Sequence, residues 1–137
     1  MAAKKVKTAA ECQKEGDVKK LVQGVFDEHK WFWWMPPANG FGKPNVDFNA
    51  IRGGVFIAVE TKFHGNKPSV LQKAFLASII SEDGFGFVVD EKNFLWFKGF
   101  MEAFDRSAQA VAGSKQPDDS DGAYMMNAIH ELTKVLA

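Results

Sequence analysis

The run Gly54-Val-Phe-Ile-Ala-Val-Glu60-Thr-Lys62 leaves this chain few architectures. An unbroken apolar stretch, rich in β-branched and aromatic residues and preceded by a Gly-Gly pair, reads as the best strand in the sequence. A strand of this kind needs a sheet around it and helices to cover the sheet. Yet it ends in an acid and a lysine, which a strand core has little reason to carry. Residues two apart on a strand share a face, so Glu60 and Lys62 project together, with Val59 and Thr61 opposite.

A second acid belongs to the same neighbourhood. Gly42-Lys-Pro-Asn-Val-Asp47-Phe leads into a short strand over Val46–Ala50, and a turn at Arg52-Gly53-Gly54 joins it to the Val55–Lys62 strand as a hairpin. Tight hairpin register sets Asp47 opposite roughly position 58, close to Glu60. Two carboxylates and a lysine at one strand end suit metal-dependent phosphodiester chemistry. Mg²⁺ takes hard oxygen ligands, one or two carboxylates with waters and substrate phosphate. Asp47 and Glu60 fit that role, with the backbone carbonyl of Thr61 as a further ligand. Lys62 stands where it can orient a nucleophilic water or stabilise the transition state. Without a cation, two such carboxylates repel and one pKa rises. The bland reading is an acid at a loop edge and a strand that ends in solvent.

The remaining elements follow from periodicity and punctuation. Val18, Leu21, Val22, Val25 and Phe26 recur at helical spacing, which predicts a helix over Glu15–His29; the residues before it read as a frayed, basic start. Trp31-Phe-Trp-Trp-Met35 reads as a buried strand ended by Pro36-Pro37. Asn39-Gly40, Gly42 and Pro44 mark a loop over 38–45. Ser69 and Gln72 have capping-box spacing, and Leu71, Phe75, Leu76 and Ile79 supply the apolar face of the helix they open. Phe87-Val-Val reads as a further short strand, with Asn93–Phe97 pairing beside it. A helix over Gly99–Val111 precedes a Gly/Ser/Pro/Asp stretch, 113–122, and a last helix over 123–136. The expected order is α-β-β-β-α-β-β-α, an α/β fold with a mixed sheet flanked by helices.

The 137 residues suffice for one ordinary domain, and 46% apolar with 25% charged residues is ordinary globular usage. With thirteen Phe and four Trp, rings are expected to fill much of the core volume. Cys12 is the lone cysteine, which excludes an internal disulfide and a Cys-rich zinc module. No stretch is apolar enough to span a bilayer, and the basic start has no apolar signal core behind it, so no membrane partner and a cytoplasmic location are expected. Net charge is zero, but the first half of the chain is basic and the second acidic. The acidic cluster therefore lies in the half that repels a polyanion less.

Taken together, Asp47…Glu60-Thr-Lys62, the Gly42-x-Pro-x-Val-Asp47-Phe approach, the Gly54-x-Phe-x-Ala-Val-Glu60 strand and Gly65-Asn-Lys-Pro-Ser-x-x-Gln72 resemble a virus-type replication-repair nuclease (VRR-NUC) domain. That family lies within the PD-(D/E)xK nuclease superfamily, and this chain looks like its small stand-alone version carried by bacteriophages. The resemblance runs from about Glu15 to Val89. It implies a restriction-endonuclease-like core, Mg²⁺ or Mn²⁺ as cofactor, and hydrolysis of DNA, with branched DNA such as four-way junctions among the substrates and the cytoplasm of an infected bacterial host as the location. Asp47 and Glu60 take the family's metal-ligand positions and Lys62 its catalytic lysine. Glu15, in Glu15-Gly-Asp-Val-Lys-Lys20, matches a first-helix glutamate that approaches the metal, and Gln72 matches a glutamine near the site. The bland alternatives are a helix-favouring acid at position 15 and a simple cap at position 72. Val46 stands where the family usually has proline.

The resulting division is a nuclease domain over 1–112, then a flexible linker and C-terminal helix over 113–137. A homodimer is expected, its interface drawing on the aromatic surplus. Lys43, Arg52 and Lys67 are candidate phosphate contacts. His64 follows the strand closely, while His29, His64 and His130 lack zinc-ligand spacing. Two other function classes compete: a catalytically silent nucleic-acid-binding or structural protein of the same fold, and a different metal-dependent enzyme such as a phosphatase. The complete set Asp47, Glu60 and Lys62 opposes the first; the lack of a second Asp/His-rich cluster opposes the second.

Overall fold

The hairpin that carries the acids is built by its turn. In the computed structural model, which describes residues 5–37 and 46–114, strands β2 (Phe48–Arg52) and β3 (Val55–Thr61) pair antiparallel, with Arg52 opposite Val55. Gly53 and Gly54, at φ 58° and 81°, form the two-residue connection. Such a turn needs left-handed backbone at both positions, which glycine adopts without a steric penalty. One step beyond the Phe48–Val59 pair, this register sets Asp47 against Glu60, two positions along from the expected one at 58. The strand also starts later than expected and runs on to Arg52. A turn made of Gly53-Gly54 alone moves every pairing.

The sheet order is β1-β2-β3-β4, where β1 is Phe32–Trp34 and β4 is Phe85–Val89. β1 pairs antiparallel with β2, and β3 pairs parallel with β4. Helix α2 (Val70–Ser81) connects those two parallel strands. The result is a mixed sheet flanked by helices, a restriction-endonuclease-like α/β core. On one face, α1 (Glu15–Glu28) and α3 (Phe94–Ser114) pack Val18, Val22, Phe26, Phe97 and Met101 against Phe48, Ile57, Val59 and Val89. On the other, Leu76 of α2 meets Ala58 and Val46, flanked by Phe56, Phe75, Ile79 and Val88. α2 lies close because Gly86 has no side chain: a Cβ there would sit 3.1 Å from the Leu76 carbonyl oxygen.

The predicted strand over Asn93–Phe97 is the first turns of α3, since Phe94, Phe97 and Met101 are buried at helical intervals. A local loop precedes it, in which Asp90 Oδ1 accepts the N–H groups of Lys92 and Asn93. Over the described residues the order is therefore α-β-β-β-α-β-α after a short 3-10 turn at Ala9–Glu11.

The Trp31–Met35 run is not a buried strand throughout. Trp31 is buried, but β1 is an edge strand whose Phe32 is 70% exposed, with Trp34 and Met35 also exposed. Alternation sends Trp33 inward toward Phe26 and Phe48 and leaves Phe32 and Trp34 on the α2 side of the sheet, where Trp34 meets Phe56 and both rings stay exposed.

The start of the chain is held by side-chain and cap contacts from Lys7 to Glu11. Buried Asp17 accepts from Lys7 Nζ at 3.1 Å and from the Gln13 N–H at 2.9 Å, tying this segment to α1.

α3 continues to Ser114, past the expected end at Val111 and into the expected linker. The rest of that linker, the helix predicted over 123–136, His130 and the loop with Lys43 lie outside the described residues. Among the described residues no helix is long and apolar enough to cross a membrane.

Candidate metal centre

Three elements bring acids to one point. Glu15 opens α1, Asp47 stands just before β2, and Glu60 lies near the end of β3. One carboxylate oxygen from each lies within 4.8 Å of the others. Glu60 is 2% exposed, while Glu15 and Asp47 are half-buried. Hard oxygen donors at this spacing fit a divalent cation such as Mg²⁺ or Mn²⁺.

Asp47 and Glu60 are held by donors. The Asp47 N–H donates to Glu60 Oε2 at 3.1 Å. Asp47 Oδ2 accepts the Thr61 N–H at 2.8 Å and the Thr61 hydroxyl at 2.5 Å. Glu60 Oε1 accepts from Gln72 Nε2 at 2.6 Å and from the Lys62 ammonium at 2.9 Å. Val46, where the resemblance leads one to expect proline, is 2% exposed and packs against Ala58 and Leu76. Its side chain anchors the backbone that presents Asp47.

The two roles weighed for Gln72 coexist. Its Oε1 accepts the Ser69 N–H at 2.8 Å and the Ser69 hydroxyl accepts the Gln72 N–H at 3.1 Å, closing a capping box. The other end of the same amide reaches Glu60. Thr61 enters through its N–H and hydroxyl, contacts the strand periodicity did not suggest. Burial fixes that hydroxyl, and Asp47 curls back over the strand end to meet it.

Electrostatics follow from this crowding. Burial pushes the Glu60 carboxyl above the usual glutamate range; neighbouring Asp47 pushes the same way and the Lys62 contact only partly offsets both. Burial works against the charge on Lys62, but its bond to Glu60 and the nearby Glu15 and Asp47 carboxylates outweigh it and hold the ammonium above its ordinary pKa. In the metal-free protein these carboxylates favour the charged form of Lys62.

One member was not expected. Lys19 Nζ lies 3.4 Å from Asp47 Oδ1. Its i+4 spacing from Glu15 on a helix is the signal that could have found it.

Among the expected phosphate contacts, Arg52 turns inward. It pairs with Asp105 and donates to the His29 carbonyl, while His29 Nδ1 lies 3.3 Å from Asp105 Oδ2. That network joins α1, β2 and α3 and is structural. Lys67 is exposed. His64 is exposed, and its main-chain N–H donates to Glu91.

No protein-family model and no curated protein matches this chain. The α/β fold with its mixed sheet and clustered acidic triad is consistent with the PD-(D/E)xK superfamily fold.

Proposed function

We propose that this protein is a metal-dependent deoxyribonuclease, a VRR-NUC-type member of the PD-(D/E)xK superfamily that hydrolyses DNA phosphodiester bonds. The observation that carries this reading is the convergence of Glu15, Asp47 and Glu60 within 4.8 Å, with Lys62 and Gln72 both bonded to Glu60. Glu15, Asp47, Glu60 and the Thr61 carbonyl would hold Mg²⁺ or Mn²⁺. When bound, such an ion offsets charge on the non-bridging phosphate oxygens and lowers the pKa of a coordinated water. Lys62 stands where it can orient a nucleophilic water or stabilise the transition-state oxygens. Gln72 keeps Glu60 oriented through its amide N–H.

Nucleic acid as the substrate is supported by charge. Lys5, Lys14 and Lys20, together with the Lys7–Asp17 pair, line a cavity of about 390 Å³ beside the start of α1, the helix that also supplies Glu15. Lysines grouped in this way attract a phosphate backbone. Phe32 and Trp34 on the edge strand are the apolar surface we assign to a homodimer contact.

The test offers linear duplex, single-stranded, flap and four-way-junction DNA to the purified protein with Mg²⁺ or Mn²⁺. Cleavage of at least one, lost in Asp47→Ala and Glu60→Ala, is expected. Metal binding without cleavage of any DNA would instead indicate a silent member of the same fold.

A further inference from the structure

We propose that Lys19 is a displaceable counter-cation of the metal centre. Its ammonium holds Asp47 Oδ1 in the metal-free protein, a divalent ion expels it, and the freed ammonium then meets a phosphate oxygen of the bound nucleic acid. This rests on the nuclease reading and adds a positioning residue to it.

The donors around the two central carboxylates are unequal. Glu60 Oε2 and Asp47 Oδ2 accept main-chain N–H groups, and Asp47 Oδ2 also takes the hydroxyl of fully buried Thr61. Glu60 Oε1 is held by Gln72, itself fixed in a helix cap, and by Lys62, whose side chain is 15% exposed. Asp47 Oδ1 differs. Its ion-pair partner is Lys19, at 3.4 Å the longest of these contacts, and that side chain is 31% exposed. A lysine on a flexible stem with open solvent beside it can swing away at little cost, whereas the main-chain donors cannot. The oxygen most easily released to a cation is therefore Asp47 Oδ1.

Charge points the same way. Three carboxylates face two ammonium groups, Lys62 and Lys19, in the metal-free state. A divalent ion beside Asp47 repels the ammonium that occupies the same oxygen. Lys62 stays, since Glu60 holds it at 2.9 Å. Lys19 remains tethered to the helix that carries Glu15, one turn on, so its head group stays at the rim of the site where a substrate phosphate would arrive.

The experiment measures Mn²⁺ binding by calorimetry to the wild type, Lys19→Met, Lys19→Arg and Lys30→Met, with folding of each checked by circular dichroism. Lys30 is an exposed cation just past the far end of α1 and controls for net charge. Removing a competing charge at this distance is expected to tighten Mn²⁺ by about 3- to 30-fold in Lys19→Met, with Lys19→Arg and Lys30→Met near wild type. A duplex oligonucleotide supplies the second arm. Lys19→Met should match the wild type in EDTA and bind several-fold more weakly with Ca²⁺, because only the metal-loaded protein releases the ammonium. Mn²⁺ affinity in Lys19→Met equal to that of Lys30→Met, or weaker than wild type, overturns the displacement while leaving the nuclease reading intact. Absence of Mn²⁺ binding to every folded variant overturns both. Equal loss of DNA affinity in EDTA and Ca²⁺ overturns the metal-gated phosphate contact.

Discussion

Asp47 and Glu60 exchange main-chain contacts across the β2–β3 hairpin: Glu60 accepts the N–H of Asp47, and Asp47 accepts the N–H of Thr61, the residue after Glu60. Each carboxylate is thereby aimed by the other strand's backbone. Two like charges are held together by the donors that also close the end of the sheet. Their mutual repulsion is the electrostatic strain a divalent cation relieves.

That lock predicts separable effects for Asp47. Replacement by Ala leaves the Thr61 N–H and hydroxyl without their acceptor, a loss of about 1–3 kcal/mol for buried groups. Asp47→Asn keeps an acceptor and loses less, yet removes the charge a metal needs. Denaturant unfolding should rank wild type, Asn and Ala in falling stability, while Mn²⁺ titration shows both variants strongly impaired. Equal stability of the Ala and wild-type proteins would contradict the lock.

Acidity provides a second test. The Glu60 pKa is raised in the folded protein, so the folded state binds this proton more tightly than the unfolded chain. Its charged form therefore costs stability at neutral pH; the cost begins to shrink as pH falls through the raised value and is gone below the ordinary glutamate pKa of about 4.3. Metal competes with that proton. Mn²⁺ affinity, followed from pH 8 downward, is expected to begin falling at a pH above the ordinary range, and Glu60→Gln is expected to abolish this phase.

Gln72 joins helix stability to the site. Gln72→Ala removes the cap partner of the Ser69 N–H and should cost about 0.5–2 kcal/mol. Gln72→Glu keeps that acceptor but sets a carboxylate against Glu60. Its metal-free melting temperature should drop at pH 7 and recover toward wild type near pH 4, where both acids are protonated. A pH-independent loss would mean that Glu60 does not feel position 72.

Arg52 offers a contrast. Its guanidinium pairs with Asp105 and the His29 carbonyl. Arg52→Ala should destabilise the fold by about 1–3 kcal/mol, with DNA affinity of the folded fraction unchanged. Gel-shift and unfolding measurements together separate the two effects.

Spacing of Gly86 from α2 is also open to test. Gly86→Val would drive a side chain into the Leu76 carbonyl and side chain, at 3.1 and 3.3 Å from the added Cβ. The helix must move out and carry Gln72 away from Glu60. Reduced stability with weakened metal binding is expected, although position 86 touches no carboxylate.

The acids at the ends of their segments were legible from the chain alone. Glu60 and Lys62 share a face because strands have period two, and Glu15 and Ser69 mark helix starts by composition and capping. The hairpin was legible too, since Gly53-Gly54 admits a tight turn. Its register was not: the expected partner of Asp47 slipped by two residues, because a strand pattern fixes which face a residue points to and leaves sliding by even steps open. Asn93–Phe97 looked like a strand because a short aromatic run fits both periods, and only packing of Phe94, Phe97 and Met101 into the core selects the helix.

What the sequence determined by itself was the inventory: a buried strand ending in charge, two further acids and a capping glutamine, all set by local rules of period and propensity. Tertiary structure decided the company each residue keeps. It turned Arg52 inward, buried Val46 beneath α2, brought the Thr61 hydroxyl to Asp47 and set Lys19 beside the same carboxylate. Those relations join residues far apart in the chain, and their energies depend on distances that exist only once both faces of the sheet are covered.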